Sequence, residues 1–476
     1  MKASIRAELL PMLKIAVPVV MAELGWMTMG VVDTVMVGPL GPQAISAAGV
    51  GNSMHIAFVI FGMATMLGLD TLVSQAYGRR DLRDCHRWFF DGLMLAGLMA
   101  LPIMVLLAGV WFAIPFLGFH GAVRPLLESY FGVLMLSTPF LLAYAVCRRY
   151  LQAMHSPQPV MFALITANLI NAFGNYVLVY GHFGMPALGV RGSAWATVIS
   201  RGYMLGALLL AVWWIDRRRT ADLLRDGLPS EALAAEGHGL WHVDRAFDAS
   251  RLRRLLALGL PAASQMGAEV GVFALATAMS GTLDPESSAA HQIALNLAGV
   301  AFMVPLGMGS AGAVRVGHAV GAGDRERASA SGWTAIMLGT GFMLIAASLF
   351  VLMPRQLIGL FTHDRAVLSV GTSLLLLAAI FQLFDGVQGV ITGTLRGLGD
   401  TRTAMVVNLV AHWLIGLPTG YLLCFVIGWG VYGLWVGLSL GLIVTGMILL
   451  YVWTRKIRHY RESTTAAAEV PPDAAA

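Results

Sequence analysis

Five carboxylates, Glu23, Asp33, Asp91, Glu269 and Asp385, stand inside otherwise apolar stretches of this chain. At bilayer depth a charged side chain costs about 3 kcal/mol or more unless it faces a cavity, takes up a proton or meets a cation. The chemistry such residues can do is the exchange of protons or of hard cations. Two groups of polar residues reinforce that reading. Asn168, Asn171 and Asn175 are three and four residues apart, which puts them on one helical face. Amide and carboxylate oxygens together are a ligand set for a hard cation, and Asp33 in the same half can supply the charge. In the other half Gln265 and Glu269 are four apart, and His291 and Gln292 lie ahead of Asn296. There Gln382, Asp385, Gln388 and Thr392 again keep three-and-four spacing. A single Gln or Thr is most economically read as an interhelical hydrogen bond. A desolvated carboxylate is not, so Glu269 and Asp385 are expected to form a site that trades protons, or a cation, for cargo. Glu23 precedes Asp33 by ten residues, about 15 Å along a helix and about 80° around it, and is expected to line the same cavity. Asp91 lies near the basic segment Arg79–Arg87 and fits a structural ion pair equally well, while Arg201 should pair with an acid inside the bundle.

The elements that must hold these residues follow from composition. The 476 residues are 57% hydrophobic and 12% charged, with a mean hydropathy of +0.73. Soluble domains carry about 25% charged residues, so the chain belongs in a membrane. Its 54 glycines suit the close helix packing that lipid-embedded bundles use. Apolar runs able to cross about 30 Å of hydrocarbon occur near residues 10–37, 44–76, 88–118, 126–147, 158–180 and 187–215. Six more lie near 252–281, 287–314, 328–353, 366–395, 403–427 and 429–454. The fold class is therefore an all-α integral membrane protein with twelve transmembrane helices. Placing both termini inside puts 26 of the 31 Lys and Arg residues on the cytoplasmic side, as the positive-inside rule requires. The polar segment 216–250 reads as a linker between a lobe of residues 1–215 and another of residues 251–455. Residues 456–476 read as a disordered cytoplasmic tail, low in complexity from Ser463 on.

The two lobes echo each other. Pro18 and Pro261, Gly78 and Gly321, and Asp81 and Asp324 are each 243 residues apart. Leu151 and Met161 recur as Leu395 and Met405 at an offset of 244, and Gly189-Val190-x-Gly192 as Gly430-Val431-x-Gly433 at 241. Each half holds an even number of spans, so the repeat is parallel. That is the symmetry of transporters that rock two bundles about a central cavity.

Other classes find no footing. The net charge of +5 sorts by topology and does not point to nucleic acid. Cys85, Cys147 and Cys424 are not spaced as a metal or redox motif. Lys2, Arg6 and Lys14 precede an apolar run too long for a cleavable signal. Nothing reads as a Walker lysine loop, a nucleophile elbow or an HExxH pair, and no cofactor is expected.

Four long segments carry a resemblance to a known family: MGVVDTVMVGPLG (29–41), NLINAFGNYVLVYG (168–181), AAHQIALNLAGVAFMVPLGMGSAGAVRVGHAVG (289–321) and FQLFDGVQGVITGTLRGLGDT (381–401). They resemble the multidrug and toxic compound extrusion (MATE) family, most of all its NorM branch of bacterial efflux pumps, from about residue 10 to 455. The resemblance implies two pseudo-symmetric six-helix lobes in the inner membrane, exporting small cationic amphipathic drugs and dyes by antiport with H⁺ or Na⁺, as a monomer. Carried over by motif, Asp33 with Asn171 and Asn175 is the N-lobe coupling site, and Glu269 with Asp385 is the C-lobe acidic pair. Either set is a possible Na⁺ site. Glu23, Asn168, Gln265, Gln292, Asn296, Phe381, Gln382 and Gln388 are expected to line the cavity. One departure bears on the ion: the NorM pattern has Tyr where this chain has Phe381, which removes a phenolic oxygen from the C-lobe. A lipid-linked-precursor flippase of the same superfamily is the alternative. It would need a basic cavity, whereas Arg201 is the one clearly intramembrane base. A membrane-embedded enzyme or receptor ranks below both.

Overall fold

Every backbone polar group in hydrocarbon must be satisfied within its own segment, which leaves helices as the way for these apolar runs to fold. The computed structural model describes residues 2–225, 239–240, 243 and 246–462, and no strand occurs among them. Among the described residues, twelve helical spans are long and apolar enough to cross a membrane. They are α1 (Ile5–Leu40), α2 (Pro42–Gly78), α3 (Leu82–Phe116), α4 (Arg124–Ala153), α5 (Gln158–Tyr180) and α6 (Val190–Asp222). In the second half come α7 (Ala249–Ser280), α8 (Pro285–Gly321), α9 (Arg325–Leu352), α10 (Arg365–Gly397), α11 (Arg402–Val426) and α12 (Val431–Glu462). Helix continues through part of the expected linker, to Arg225, and through the first residues of the expected tail, to Glu462. Both additions are basic helix ends that extend past the apolar run. Residues 463–476 and most of 226–245 lie outside the described residues.

The chain divides into two compact units, but not at the linker. One is Val17–Ala263; the other is Met1–Ala16 with Ser264–Ala476. The first turns of α1 thus belong with the second half, and the first turns of α7 with the first half. Side-chain chemistry explains the exchange. On α1, Glu8 accepts hydrogen bonds from Arg315 (3.0 Å to Nε), Arg327 (3.2 Å) and Ser331 (2.9 Å). On α7, Arg251 donates to Asp91 (2.6 Å) and Asp84 (2.7 Å), and its guanidinium lies over the Trp88 ring at 3.8 Å. Gly259 is in contact with the Thr65 carbonyl so closely that a Cβ there would sit 2.1 Å from the oxygen.

The repeat is visible in backbone geometry. Asp81 caps α3 by accepting from the Asp84 amide at 2.9 Å, and Asp324 caps α9 by accepting from the Arg327 amide at the same distance. The residue before each cap is left-handed, Arg80 at φ 62° and Gly323 at φ 72°. His155 (φ 61°) and Gly399 (φ 90°) repeat at an offset of 244, and Gly189 (φ 56°) and Gly430 (φ 57°) at 241.

Two local features set up the second half. α8 and α10 pack backbone to backbone, because a Cβ on Gly393 would lie 2.1 Å from the Gly309 carbonyl oxygen. This close approach fixes the face of α10 that carries Asp385 and Gln388. α11 contains two π-helical stretches, Val410–Gly416 and Leu422–Val426. Such bulges often mark functional sites, and the first begins just after Asn408.

Candidate functional site

In the first unit α1, α5 and α6 converge on Asp33. Asn175 Nδ2 donates to Asp33 Oδ1 at 2.9 Å, and the Thr197 hydroxyl donates to Oδ2 at 3.0 Å. Asn171 is held one step back: its Oδ1 accepts from Asn175 at 3.2 Å, and its Nδ2 lies 3.5 Å from Thr197 Oγ1. Asn171 and Asn175 are fully buried, and Asp33 is 9% exposed. Asn175 Oδ1 is buried without a hydrogen-bond partner, and Ser193 on α6 likewise leaves its hydroxyl unpartnered. An orphan amide oxygen beside a carboxylate is an arrangement that a hard cation or a protonated donor can complete.

Asn168 shares the helical face of Asn171 and Asn175 but not their site. It donates to the carbonyls of Gly25 and Leu164, both at 2.9 Å, which ties α5 to α1. Thr197 is the member that sequence reading missed. Its signal was a second polar stripe, Ser193, Thr197 and Arg201, four residues apart along α6.

In the second unit the pair Glu269 and Asp385 is bridged by one amide. Gln388 Nε2 donates to Glu269 Oε1 at 2.9 Å and reaches Asp385 Oδ1 at 3.4 Å. Gln265 Nε2 donates to Glu269 Oε2 at 3.0 Å. Asn408, which the sequence reading did not single out, lies 3.4 Å from Glu269 Oε2 and 3.3 Å from Gln388 Oε1. The two carboxylates thus share Gln388, Glu269 takes two further amides, and among the described residues every hydrogen-bond partner of the pair is neutral. That excess of acid can hold a proton, a monovalent cation or an organic cation.

The other expected lining residues lie outside the two clusters. Phe381 is buried and packs against Trp435, ring centroids 5.8 Å apart, so it belongs to an apolar core. Gln382 is fully buried, and both its amide atoms lack partners. Gln292 and Asn296 are exposed on α8. His291 is structural, bonded to Thr277 at 2.9 Å and accepting from the Trp435 indole at 3.0 Å. Glu23 does not extend the Asp33 cluster: it forms a buried ion pair with Arg148 of α4. Asp91 does form an ion pair, with Arg251 of α7 in place of the nearby arginine loop. The expected acid partner of Arg201 is missing, since no described carboxylate lies within salt-bridge reach of it. A small cavity lined by His86, Tyr150, Asp216 and Arg219 lies in the first unit and includes none of the cluster residues.

Two compact units built of long apolar helices, each with carboxylates set among them, define a multi-pass membrane protein. The family model MatE matches residues 18–177 and 261–422, once in each half. The chain is 35% identical over 465 residues to a probable multidrug resistance protein NorM of Mesorhizobium japonicum, covering 95% of each sequence. It is 34% identical to the multidrug resistance protein NorM of Burkholderia vietnamiensis, covering 96% of this chain and 94% of that one. Among solved structures, the eukaryotic MATE transporter AtDTX14 superposes with a TM-score of 0.81 at 21% identity, covering 97% of this chain and 99% of that one. An outward-facing multidrug resistance MATE transporter gives a TM-score of 0.82 at 17% identity, covering 95% and 96%. The chain belongs to the MATE family and is NorM-like.

Proposed function

We propose that this chain is a multidrug efflux transporter that exports small organic cations in exchange for H⁺ or Na⁺, by alternating access of its two lobes across a bacterial inner membrane. The observation that carries this reading is the Glu269–Gln388–Asp385 bridge, an acidic cluster inside apolar helices whose described hydrogen-bond partners are amides. A site of that charge attracts a cationic drug when empty and releases it when protons or Na⁺ take its place. Occupancy then biases the equilibrium between states of the protein that bind each ligand differently. The Asp33 cluster is a second coupling site in the same scheme. The relatives named as multidrug resistance proteins support the cargo class. The acidic character of the Glu269–Asp385 cluster favours this over export of a pyrophosphate-linked lipid. Both termini are taken as cytoplasmic, from the distribution of Arg and Lys.

Reconstitution into proteoliposomes with Na⁺ and pH gradients imposed one at a time tests the reading. Ethidium movement driven by either gradient supports exchange, and the gradient that works identifies the ion. Ethidium movement indifferent to both would refute antiport.

A further inference from the structure

Arg201 is a guanidinium 3% exposed, on α6 one turn beyond Thr197. Its contacts among the described residues are neutral: Ser137 Oγ at 2.6 Å, His55 Nδ1 at 3.5 Å and the Trp26 ring at 6.0 Å from Cζ. His55 in turn meets Thr138 at 3.1 Å. Arg201 Nε has no partner. A buried cation normally survives only beside an anion. The carboxylate nearest along the cluster is Asp33, whose Oδ2 accepts at 3.0 Å from Thr197, one turn before Arg201 on the same helix.

We propose that Arg201 is a built-in counter-cation of the Asp33 site, one that sets how tightly the N-terminal lobe can hold a transported cation. It deepens the efflux reading above and rests on it only for the word transported. The charge balance differs between the lobes. Asp33 and Arg201 together are neutral, so each cation added to Asp33 leaves a buried net positive charge. The hydrogen-bond partners of Glu269 and Asp385 among the described residues are all amides, and a cation added there reduces a net negative charge. The C-terminal lobe therefore holds cations strongly and the N-terminal lobe weakly, by an amount that Arg201 determines. A single buried charge at this range alters a binding constant by roughly tenfold or more.

Equilibrium binding to purified protein tests this without needing transport. The probes are ²²Na⁺ at alkaline pH and radiolabelled tetraphenylphosphonium. For Arg201→Gln, binding of at least one probe tightens by roughly tenfold. The gain disappears in the Arg201→Gln/Asp33→Asn double variant, and Arg201→Lys stays like wild type. Unchanged affinity for both probes in Arg201→Gln overturns the proposal, as does a gain that survives Asp33→Asn. The lysine variant retains the charge and so separates electrostatics from damage to the fold. Ethidium exchange by wild-type protein in liposomes reports separately on the efflux reading.

Discussion

Glu269→Gln separates the structural work of the C-terminal cluster from its ion chemistry. The glutamate oxygens accept from Gln388 on one side and from Gln265 and Asn408 on the other, at 2.9, 3.0 and 3.4 Å. Glutamine has the same shape but turns one acceptor into a donor. If its NH₂ faces Gln388, two donors meet. Gln388 cannot simply turn over, because its own oxygen accepts from Asn408 at 3.3 Å. If the NH₂ faces the other way, it meets the donors of Gln265 and, at longer range, Asn408, and the Gln265 amide must flip. Either arrangement loses charge-assisted bonds and disturbs one amide, a cost of about 1–3 kcal/mol. Removing one of two like charges offsets part of that. The variant should therefore fold, with thermal unfolding in detergent only modestly earlier than wild type. Ethidium efflux from everted vesicles should nevertheless fall by at least about tenfold, because one less charge is available to exchange. Asp385→Asn should behave alike. Efflux above half the wild-type rate in both variants would refute an exchange role for the pair.

The other predictions test separate contacts. Thr197→Val keeps the shape of α6 but removes the hydroxyl bonded to Asp33; ion-driven efflux should drop roughly threefold to tenfold, and Thr197→Ser should restore it. Glu8→Gln leaves Arg315 buried, at 4% exposure, without its anion, which should cost about 3–5 kcal/mol and show as a lower unfolding temperature. Asp400 lies in the loop between α10 and α11. Burial raises its carboxyl, but hydrogen bonds from Lys456 and Thr403 outweigh that and hold it below the ordinary aspartate value of 3.8. A carboxyl depressed by folding adds stability that is whole above that value and drains away as pH falls through the lowered one. Lys456→Met should then be less stable than wild type at neutral pH, with the difference closing in acid below about pH 4. A gap in unfolding temperature that stays constant from neutral pH into strong acid would count against the pairing.

Helix number and most helix limits could be read from the chain because lipid imposes one rule on every span: backbone groups must be satisfied inside the segment. The charged ends resisted that rule. Residues 216–225 and 456–462 are polar yet helical, since beyond the apolar run water permits either state. Asp33 and its two asparagines could be grouped because carboxylate and amides are costly in lipid and share faces. Thr197 and Asn408 escaped notice because one hydroxyl or amide in a long helix is ordinary. Glu23 was placed with Asp33 on helical spacing alone. Which acid meets Arg148 depends on how α1 packs against α4, and spacing along one helix contains no such information.

The duplication preserves positions more faithfully than residues. Glu8 and Arg251 are 243 apart, and so are their partners Arg327 and Asp84. The same two positions thus form an ion pair in each unit with the signs reversed. Ser331, bonded to Glu8, likewise stands at the repeat position of Trp88, which stacks on Arg251. An ion pair of either polarity ties the start of α1 or α7 to the unit it joins, so the architecture constrains complementarity and not charge. The polar clusters do not obey the repeat even to that extent. At the same offset Asp33 corresponds to Ala276 and Glu269 to Trp26, and at 241 Arg201 corresponds to Leu442. Scaffold features recur because both halves face the same packing problem, whereas the clusters use different helices, α1 with α5 and α6 in one unit and α7 with α10 and α11 in the other. Two non-equivalent sites on one repeated frame are free to differ in which cation each binds.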